Sequence, residues 1–440
     1  MPRKTKIIFI TVFIIVGAIM LGYYFYNKNT STNTIGTDTS FYQKFNPFGG
    51  GKKVNNGGEP TDTSTVNVNE TGGQVNNKTS RFTKITNFVI SGATFFEDTR
   101  LLPKTEVTTP EAPVVTTKIV KGKVVKITQP AVPVEQNSEI VPSIRYVERA
   151  TGHVYQMYLD TKITGKISNS TIPSVYETIF DGKANSLIYR YISPEDKNVI
   201  TSFLATLGGK SGFLSENILQ ISLSPDKSKF FSIIKNANGV LGIIKSFDET
   251  KTNQVFNSAF TEWLPQWVTE QNIYLTTKPS YLVEGSVFSL NTTNGTLSKI
   301  FGGIKGLTTL ANNDGTSILY GASLDNGPKL NVFNVKNHTS LELDKYGLPE
   351  KCIWSSDNIN VYCAVPATIV GTQYPDSWYQ GTVSFNDMFI KINTQTSDTT
   401  TIANTNDGGQ IDAINLFLNK DENKIFFTNK KDYTLWSLDM

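Results

Sequence analysis

The stretch Ser224-Pro-Asp-Lys-Ser-Lys-Phe-Phe-Ser-Ile233 joins two apolar segments through a turn centred on Asp226. An Asp-centred turn between short apolar runs indicates two antiparallel strands. The pattern recurs at Asn312–Gly321, Ser355–Ala364 and Asn419–Thr428, with weaker copies at Gly182–Tyr189 and Val268–Leu275. With Lys183, Asp226, Thr269, Asp314, Asp357 and Asp421 as equivalent positions, the spacings are 43, 43, 45, 43 and 64 residues. Such a period predicts a repeat architecture.

The second half of each repeat predicts two further strands. Strand, polar turn and strand recur at Val287–Leu297, Val332–Leu341 and Phe389–Thr399. Asn238-Gly239 and Asn326-Gly327 lie between the middle strands, where a tight hairpin requires positive φ at both central residues. One unit is therefore four antiparallel strands, which is typical of a propeller blade. We predict an all-β, seven-bladed β-propeller over residues 81–440, with insertions at 103–140 and 366–386; six or eight blades remain as alternatives.

The closure of the ring can also be predicted. The chain stops at Thr434–Met440, which we assign to the third strand of the last blade. Phe82–Thr86 would then supply the missing outer strand and remove an open sheet edge.

These Asp-centred turns resemble the blade turns of TolB-like and WD40-like β-propeller proteins. The resemblance covers residues from Phe82 onward and concerns the architecture, because propellers include enzymes, scaffolds and receptors. No Trp-Asp dipeptide closes the blades, so the chain is more similar to the TolB-like group.

The N-terminal part predicts membrane anchoring. Residues 7–26 are an uncharged apolar run, long enough for one transmembrane helix. Arg3, Lys4 and Lys6 precede it, which predicts a cytoplasmic tail at residues 1–6 and an extracytoplasmic propeller. A cleaved secretory signal is the alternative, although no small-residue cleavage site follows. Residues 27–80 are rich in Asn, Thr, Ser and Gly and predict a disordered linker.

The charge and the scarcity of histidine narrow the function classes. The formal net charge is +3, and the three basic residues before the apolar run account for it. A near-neutral propeller argues against a nucleic-acid partner. The only histidines, His153 and His338, fall in predicted turns, and no Gly-x-Ser-x-Gly motif occurs. We therefore predict no cofactor, no metal site and no enzymatic activity.

The two cysteines, Cys352 and Cys363, stand symmetrically about the turn at Asp357 and Asn358. This spacing places them opposite one another on neighbouring strands. An extracytoplasmic location favours a disulfide; two reduced core cysteines are the alternative.

The insertion at 366–386 is the predicted contact surface. It carries Tyr374, Asp376, Trp378 and Tyr379, and exposed aromatic side chains favour binding to partners. In the alternative interpretation the rings fold back and seal the core.

These observations predict a protein-binding or scaffolding module of the cell envelope, held in the membrane by residues 7–26, with other envelope proteins as partners. The alternative is a carbohydrate- or peptide-active enzyme with a carboxylate-based site in the channel.

Overall fold

The strands pair into seven separate four-stranded antiparallel sheets. The computed structural model describes residues 81–102, 115–120, 123–128, 137–193 and 199–440, all within a unit that spans Val68–Met440. The seven-bladed β-propeller is confirmed. The predicted tail, membrane span and linker all lie outside the described residues. Among the residues described, no helix is long and apolar enough to cross a membrane.

The blades follow one another along the chain. Blade 1 contains β2 (Ile90–Leu101), β5 (Ser138–Glu148), β6 (Val154–Tyr158) and β7 (Thr164–Lys166); blade 2 contains β8 (Val175–Phe180), β9 (Ser186–Ile192), β10 (Ile200–Thr206) and β11 (Ser211–Phe213); blade 3 contains β12 (Ile218–Leu223), β13 (Lys229–Asn236), β14 (Gly239–Ser246) and β15 (Thr252–Ser258). Blade 4 contains β16 (Trp263–Thr269), β17 (Asn272–Thr277), β18 (Glu284–Asn291) and β19 (Leu297–Lys305).

Blade 5 contains β20 (Thr308–Ala311), β21 (Ser317–Leu324), β22 (Gly327–Asn334) and β23 (Thr339–Tyr346); blade 6 contains β24 (Cys352–Trp354), β25 (Asn360–Pro366), β26 (Asp387–Asn393) and β27 (Thr399–Ala403); blade 7 contains β28 (Ala413–Leu418), β29 (Lys424–Asn429), β30 (Thr434–Asp439) and β1 (Phe82–Lys84). A separate hairpin pairs β3 (Val115–Val120) with β4 (Lys123–Thr128). In the part of the chain that the structure describes, the helical elements are a 3-10 turn (Pro349–Lys351), α1 (Asp376–Tyr379) and α2 (Thr405–Gly408).

The Asp-centred turns are structural, as their sequence predicts. Asp226 accepts hydrogen bonds from the Ser224 hydroxyl at 2.6 Å and from the Ser228 backbone N–H at 3.0 Å. These bonds hold the pKa of Asp226 at about 2. The next residue, Lys227, has a φ of 53°, a left-handed conformation that the turn bonds stabilise. The turn therefore fixes the register between the first and second strands of the blade.

Apolar packing holds the ring together between blades rather than within them. Seven buried clusters each combine side chains from two adjacent blades, and one of them joins blade 7 to blade 1. In blade 6, β24 and β25 supply Trp354 and Val361 to the cluster shared with Leu319 and Leu330 of blade 5. First strands of neighbouring blades contact one another, for example β2 with β8 and β12 with β16, as expected of the innermost strands of a propeller.

The N-terminal strand closes the ring as predicted. β1 pairs antiparallel with β30, with Phe82 opposite Leu438. The Phe82 ring is 7% exposed and lies 5.6 Å from the ring of Phe389, measured between centroids. The strand therefore completes blade 7 and also fills the interface between blades 6 and 7.

We expect Phe82→Ala to lower the free energy of unfolding by about 3–5 kcal/mol, because it empties a buried site in the closing strand. The matched control is Thr83→Ala, on the same strand but exposed, which should change stability by less than about 0.5 kcal/mol. Chemical denaturation of the two variants provides the measurement. Equal stabilities would contradict the role of β1 in closure.

Candidate functional site

One face of the propeller carries an extra loop at blade 6. β25 ends at Pro366 and β26 starts at Asp387, and we call residues 367–386 the cap loop. Since it joins the second and third strands of its blade, it lies on the same face as the connections between blades, which we call the cap face. The opposite face carries the Asp-centred turns.

The cap loop reaches from blade 4 to blade 7. Asp376 accepts a hydrogen bond of 2.7 Å from the backbone N–H of Tyr281, in the connection between β17 and β18. On the other side, Lys430 Nζ in blade 7 donates to the Trp378 carbonyl. Between these points, Gly306 has a φ of 60°, and a Cβ there would lie 2.9 Å from the Tyr374 carbonyl oxygen. The close approach therefore requires glycine.

The loop packs its own aromatic side chains underneath itself. Tyr374, Trp378 and Phe385 are 0%, 5% and 2% exposed and form a cluster with Leu348. The Phe385 ring lies between the other two, with centroid distances of 5.6 Å to Tyr374 and 6.1 Å to Trp378. The cap loop thus has a small core of its own.

Beneath that core lies a buried ion cluster of Lys351, Asp387 and Asp412, each at most 1% exposed. Lys351 Nζ is 2.9 Å from Asp387 Oδ2 and 2.5 Å from Asp412 Oδ1, and it also donates to the Ala413 carbonyl at 2.9 Å. Lys351 ends the 3-10 turn before β24, Asp387 begins β26, and Asp412 precedes β28. The cluster therefore joins blades 6 and 7 at the base of the cap loop.

Asp412 is also the main anchor of the cap loop. Trp378 Nε1 donates to both of its carboxylate oxygens at 3.1 Å. The Ser384 hydroxyl and the Phe385 backbone N–H donate to Oδ2 at 3.1 and 2.9 Å. A buried carboxylate with this many donors is satisfied without solvent.

The pKa values of the two carboxyl groups shift in opposite directions. Burial raises the pKa of Asp387 to about 6, although the Lys351 ammonium opposes this shift. Burial also acts on Asp412, but there Lys351 and the hydrogen bonds from the cap loop outweigh it and lower the pKa. Asp412 therefore keeps its negative charge to lower pH than Asp387, whose Oδ1 has no hydrogen-bond partner among the described residues.

Lys430 lies over the Trp378 ring. Its Nζ lies 3.9 Å from the ring centroid, a distance that permits a cation–π interaction. Desolvation lowers the pKa of Lys430 to about 8, although the Asp412 charge acts in the other direction. Trp378 is thereby held by a carboxylate at its N–H and by an ammonium at its face.

The predicted contact residues have different environments. Of the two interpretations, rings folded back into the core is the one that describes Tyr374 and Trp378, which are 0% and 5% exposed, because the Trp378 N–H and the stacked rings find their partners inside the molecule. Asp376 is partly buried and holds the loop to blade 4. Tyr379 is 41% exposed, and its hydroxyl donates to Glu350. A role in binding stays a prediction for Tyr379.

Lys351, Asp387 and Asp412 were missed by the sequence reasoning. Each comes directly before an apolar strand, outside the Asp-centred turns. A charged residue at the start of a buried strand was the available signal, but nothing in the spacing shows that the three meet.

The structure joins Cys352 and Cys363 by a disulfide, with sulfur atoms 2.09 Å apart. The two residues are partners in the register of β24 and β25. Lys351 immediately precedes Cys352. The disulfide therefore holds the start of β24, next to the lysine of the ion cluster.

The two histidines lie in turns between strands. His153 lies in the turn between β5 and β6, with Nε2 3.1 Å from the Thr171 hydroxyl. His338 lies in the turn between β22 and β23, with its ring against Phe333. Among the described residues, no group of three or more His, Cys, Asp or Glu side chains could hold a metal ion.

Large apolar side chains are exposed around the cap loop. They belong to blades 3 to 6, and each lies in a loop or at a strand end on the cap face. Their exposed fractions are 46% for Phe260, 64% for Leu282, 56% for Val283, 46% for Leu324, 61% for Val370 and 41% for Tyr379. We call these six residues the apolar rim. Gly306 donates its N–H to the carbonyls of Ser280 and Val283, so the blade 4 part of the rim adjoins the cap loop.

Comparison with known proteins places the chain only by its fold. Neither a protein-family model nor a curated protein sequence matches it. It is similar to TolB from Acinetobacter baumannii, with 12% identity, a TM-score of 0.39, and coverage of 58% of this chain and 61% of TolB. It is also similar to oligogalacturonate lyase from Vibrio parahaemolyticus, with 8% identity, a TM-score of 0.48, and coverage of 80% and 98%.

A third similar structure is the β-propeller domain of the Trilobed protease from Pyrococcus furiosus, with 11% identity, a TM-score of 0.47, and coverage of 68% of this chain and 90% of that domain. The alignment with TolB thus spans less than two thirds of TolB. At these identities the similarity concerns the propeller fold alone, which the repeats had predicted.

We expect Trp378→Ala to destabilise the protein by about 3–5 kcal/mol, because it removes a buried ring and one of the hydrogen-bond donors to the buried Asp412 carboxylate. Val370→Ala, in the same loop but 61% exposed, is the matched control and should melt like the parent. Thermal unfolding followed by circular dichroism measures both. If Trp378→Ala melted like Val370→Ala, the ring would not be part of the structure of the cap loop.

Proposed function

We propose that this protein is a membrane-anchored, extracytoplasmic protein-binding or scaffolding module of the cell envelope, and that its cap face is the contact surface. The observation that supports this proposal most strongly is the apolar rim. Several large apolar side chains exposed on one face favour a protein-interaction site. Anchoring by residues 7–26 and the extracytoplasmic location rest on the charge and apolar pattern of the N-terminus.

The construction of the cap face suits a binding surface. The cap loop is held by buried groups, so a partner would meet a preorganised surface and would lose little conformational entropy in ordering it. Lys278 and Glu262, 2.8 Å apart, flank Phe260 and Leu282 with an exposed ion pair. An apolar centre with a polar margin is the usual composition of a protein interface.

The enzyme alternative has less support. Asp387 has the raised pKa that acid–base chemistry uses, but Asp387 and Asp412 are 1% and 0% exposed, and their oxygens bind Lys351 and the cap loop. A substrate would have no access to this pair without removal of the loop. We therefore interpret the cluster as structural.

A photo-crosslinking experiment tests the proposal. We place p-benzoylphenylalanine at Leu282, on the apolar rim, or at Ile163, a control with matched exposure of 63% in a turn on the opposite face. In intact membranes, position 282 should yield a discrete protein adduct and position 163 should not. The adduct should disappear when Val283→Asp is added, while the melting temperature stays unchanged. Adducts of equal yield from both positions, or lipid adducts alone, would contradict the proposed surface.

A further inference from the structure

The blade 4 and blade 5 parts of the apolar rim adjoin one another. Gly306, in the connection between these blades, donates its N–H to the Val283 carbonyl at 3.1 Å. A Cβ at Gly306 would lie 2.7 Å from the Cβ of Ser323, the residue before Leu324. The exposed side chains of the two blades therefore flank the same short connection.

The cap loop continues this surface on both sides. A Cβ at Gly327, in the blade 5 hairpin, would lie 3.0 Å from Ile369 Cγ2, and Ile369 precedes Val370. Asp376 holds the loop to the Tyr281 N–H, next to the exposed side chains of blade 4. The rim residues of blades 4, 5 and 6 thus lie beside contacts that join their segments.

Tyr379 covers a carboxylate at this surface. It ends α1, and its hydroxyl donates to Oε1 of Glu350 in the 3-10 turn before β24. Desolvation raises the pKa of Tyr379 well above its usual range, and the Glu350 charge acts in the same direction. The hydroxyl therefore stays protonated and remains a hydrogen-bond donor.

The Glu350 carboxylate has no cation. Its Oε2 is buried and has no hydrogen-bond partner among the described residues. The adjacent ammonium of Lys351 pairs instead with Asp387 and Asp412. Burial raises the pKa of Glu350, although the Tyr379 hydroxyl opposes this shift. An unpaired buried carboxylate oxygen is unfavourable, and a cationic donor is the group that would satisfy it most strongly.

The surrounding charge is acidic. In the cap-face connections of blades 4 to 6, the basic residues are Lys278 and Lys351, which are paired with Glu262 and with the buried aspartates. The remaining charged residues there are Asp325, Glu350 and Asp376, none of which forms an ion pair within the part of the chain that the structure describes. Like charges on facing surfaces repel, so this excess opposes a second copy of the same face, anionic lipid and nucleic acid, and favours a basic partner.

We propose that the partner of the cap face is a protein segment with one basic side chain between apolar residues. The cation takes the place of the Tyr379 hydroxyl on Glu350 and lies against the tyrosine ring. Arginine fits best, because a guanidinium both pairs with a carboxylate and stacks on an aromatic ring. The apolar residues of the segment cover Leu282, Val283 and Leu324. This inference rests on the function proposed for the cap face and adds the chemistry of the partner.

The test measures the binding of short fluorescent peptides to the full chain in detergent micelles by anisotropy, with empty micelles as the blank. Two peptides of leucine and serine differ only in the central residue, which is arginine or its uncharged isostere citrulline. The parent should bind the arginine peptide at least about tenfold more tightly than the citrulline peptide. In Glu350→Gln the two should bind within about twofold of each other. Glu270→Gln, which changes an exposed carboxylate on the opposite face, should keep the full difference.

Tyr379→Phe separates recognition from a structural role. It keeps the ring but removes the hydroxyl that competes for Glu350, so it should bind the arginine peptide about threefold or more tightly than the parent does. A merely structural hydroxyl would give weaker binding, which would overturn the inference. A Glu350→Gln effect no larger than that of Glu270→Gln would overturn it as well.

Leu282→Ser distinguishes failure of this inference from failure of the proposed function. If both peptides bind the parent equally and Leu282→Ser weakens both, the cap face is a docking surface without a preference for a cation, and this inference alone is overturned. If neither peptide binds while position 282 still forms its crosslink, the same conclusion holds. If the arginine peptide binds and neither Leu282→Ser nor Glu350→Gln weakens it, the cap face is not the surface and both proposals are overturned.

Discussion

Asp412 is the residue on which the cap face depends. Its carboxylate binds Lys351 on one side, and on the other it accepts hydrogen bonds from Trp378, Ser384 and Phe385 of the cap loop. Lys351, Asp387 and Asp412 lie at the starts of strands in blades 6 and 7. The position of the cap loop therefore depends on how these two blades pack against each other. Everything proposed for the cap face assumes a loop that is held in this way.

A buried ion cluster is not expected to stabilise the fold more than apolar packing would. Moving charges out of water is costly, and an apolar replacement of similar volume is often neutral or stabilising, whereas loss of one partner costs several kcal/mol. The role that we infer for Lys351, Asp387 and Asp412 is therefore conformational: they determine one position for a loop that joins strands already fixed by apolar clusters. The raised pKa of Asp387 reflects the unfavourable free energy of burying its negative charge.

The fold was predictable because each blade repeats its own local signals. The turns at Asp226 and Asp357, the Asn-Gly hairpins and the spacing of about 43 residues are local properties of the sequence, and the closing strand at Phe82 followed from counting strands. The site was not predictable in the same way. Trp378 was expected at the surface, because an aromatic residue in a polar insertion gives no sign of the distant Asp412 that binds its N–H. Contacts between residues 34 positions apart in a non-repeating segment leave no periodic pattern. The β3–β4 hairpin was likewise predicted only as part of an insertion.

Amide hydrogen exchange in Asp412→Asn tests the central claim most directly. The substitution keeps the shape of the side chain but removes its charge, and half of its capacity to accept hydrogen bonds. We predict that exchange in residues 367–386 becomes at least about tenfold faster, because local opening of the cap loop costs less free energy, while the blade strands keep their protection. Asp226→Asn, in a turn on the opposite face, should leave the exchange of the cap loop unchanged. Unchanged exchange of the loop in Asp412→Asn, or equal acceleration in all blades, would contradict the account.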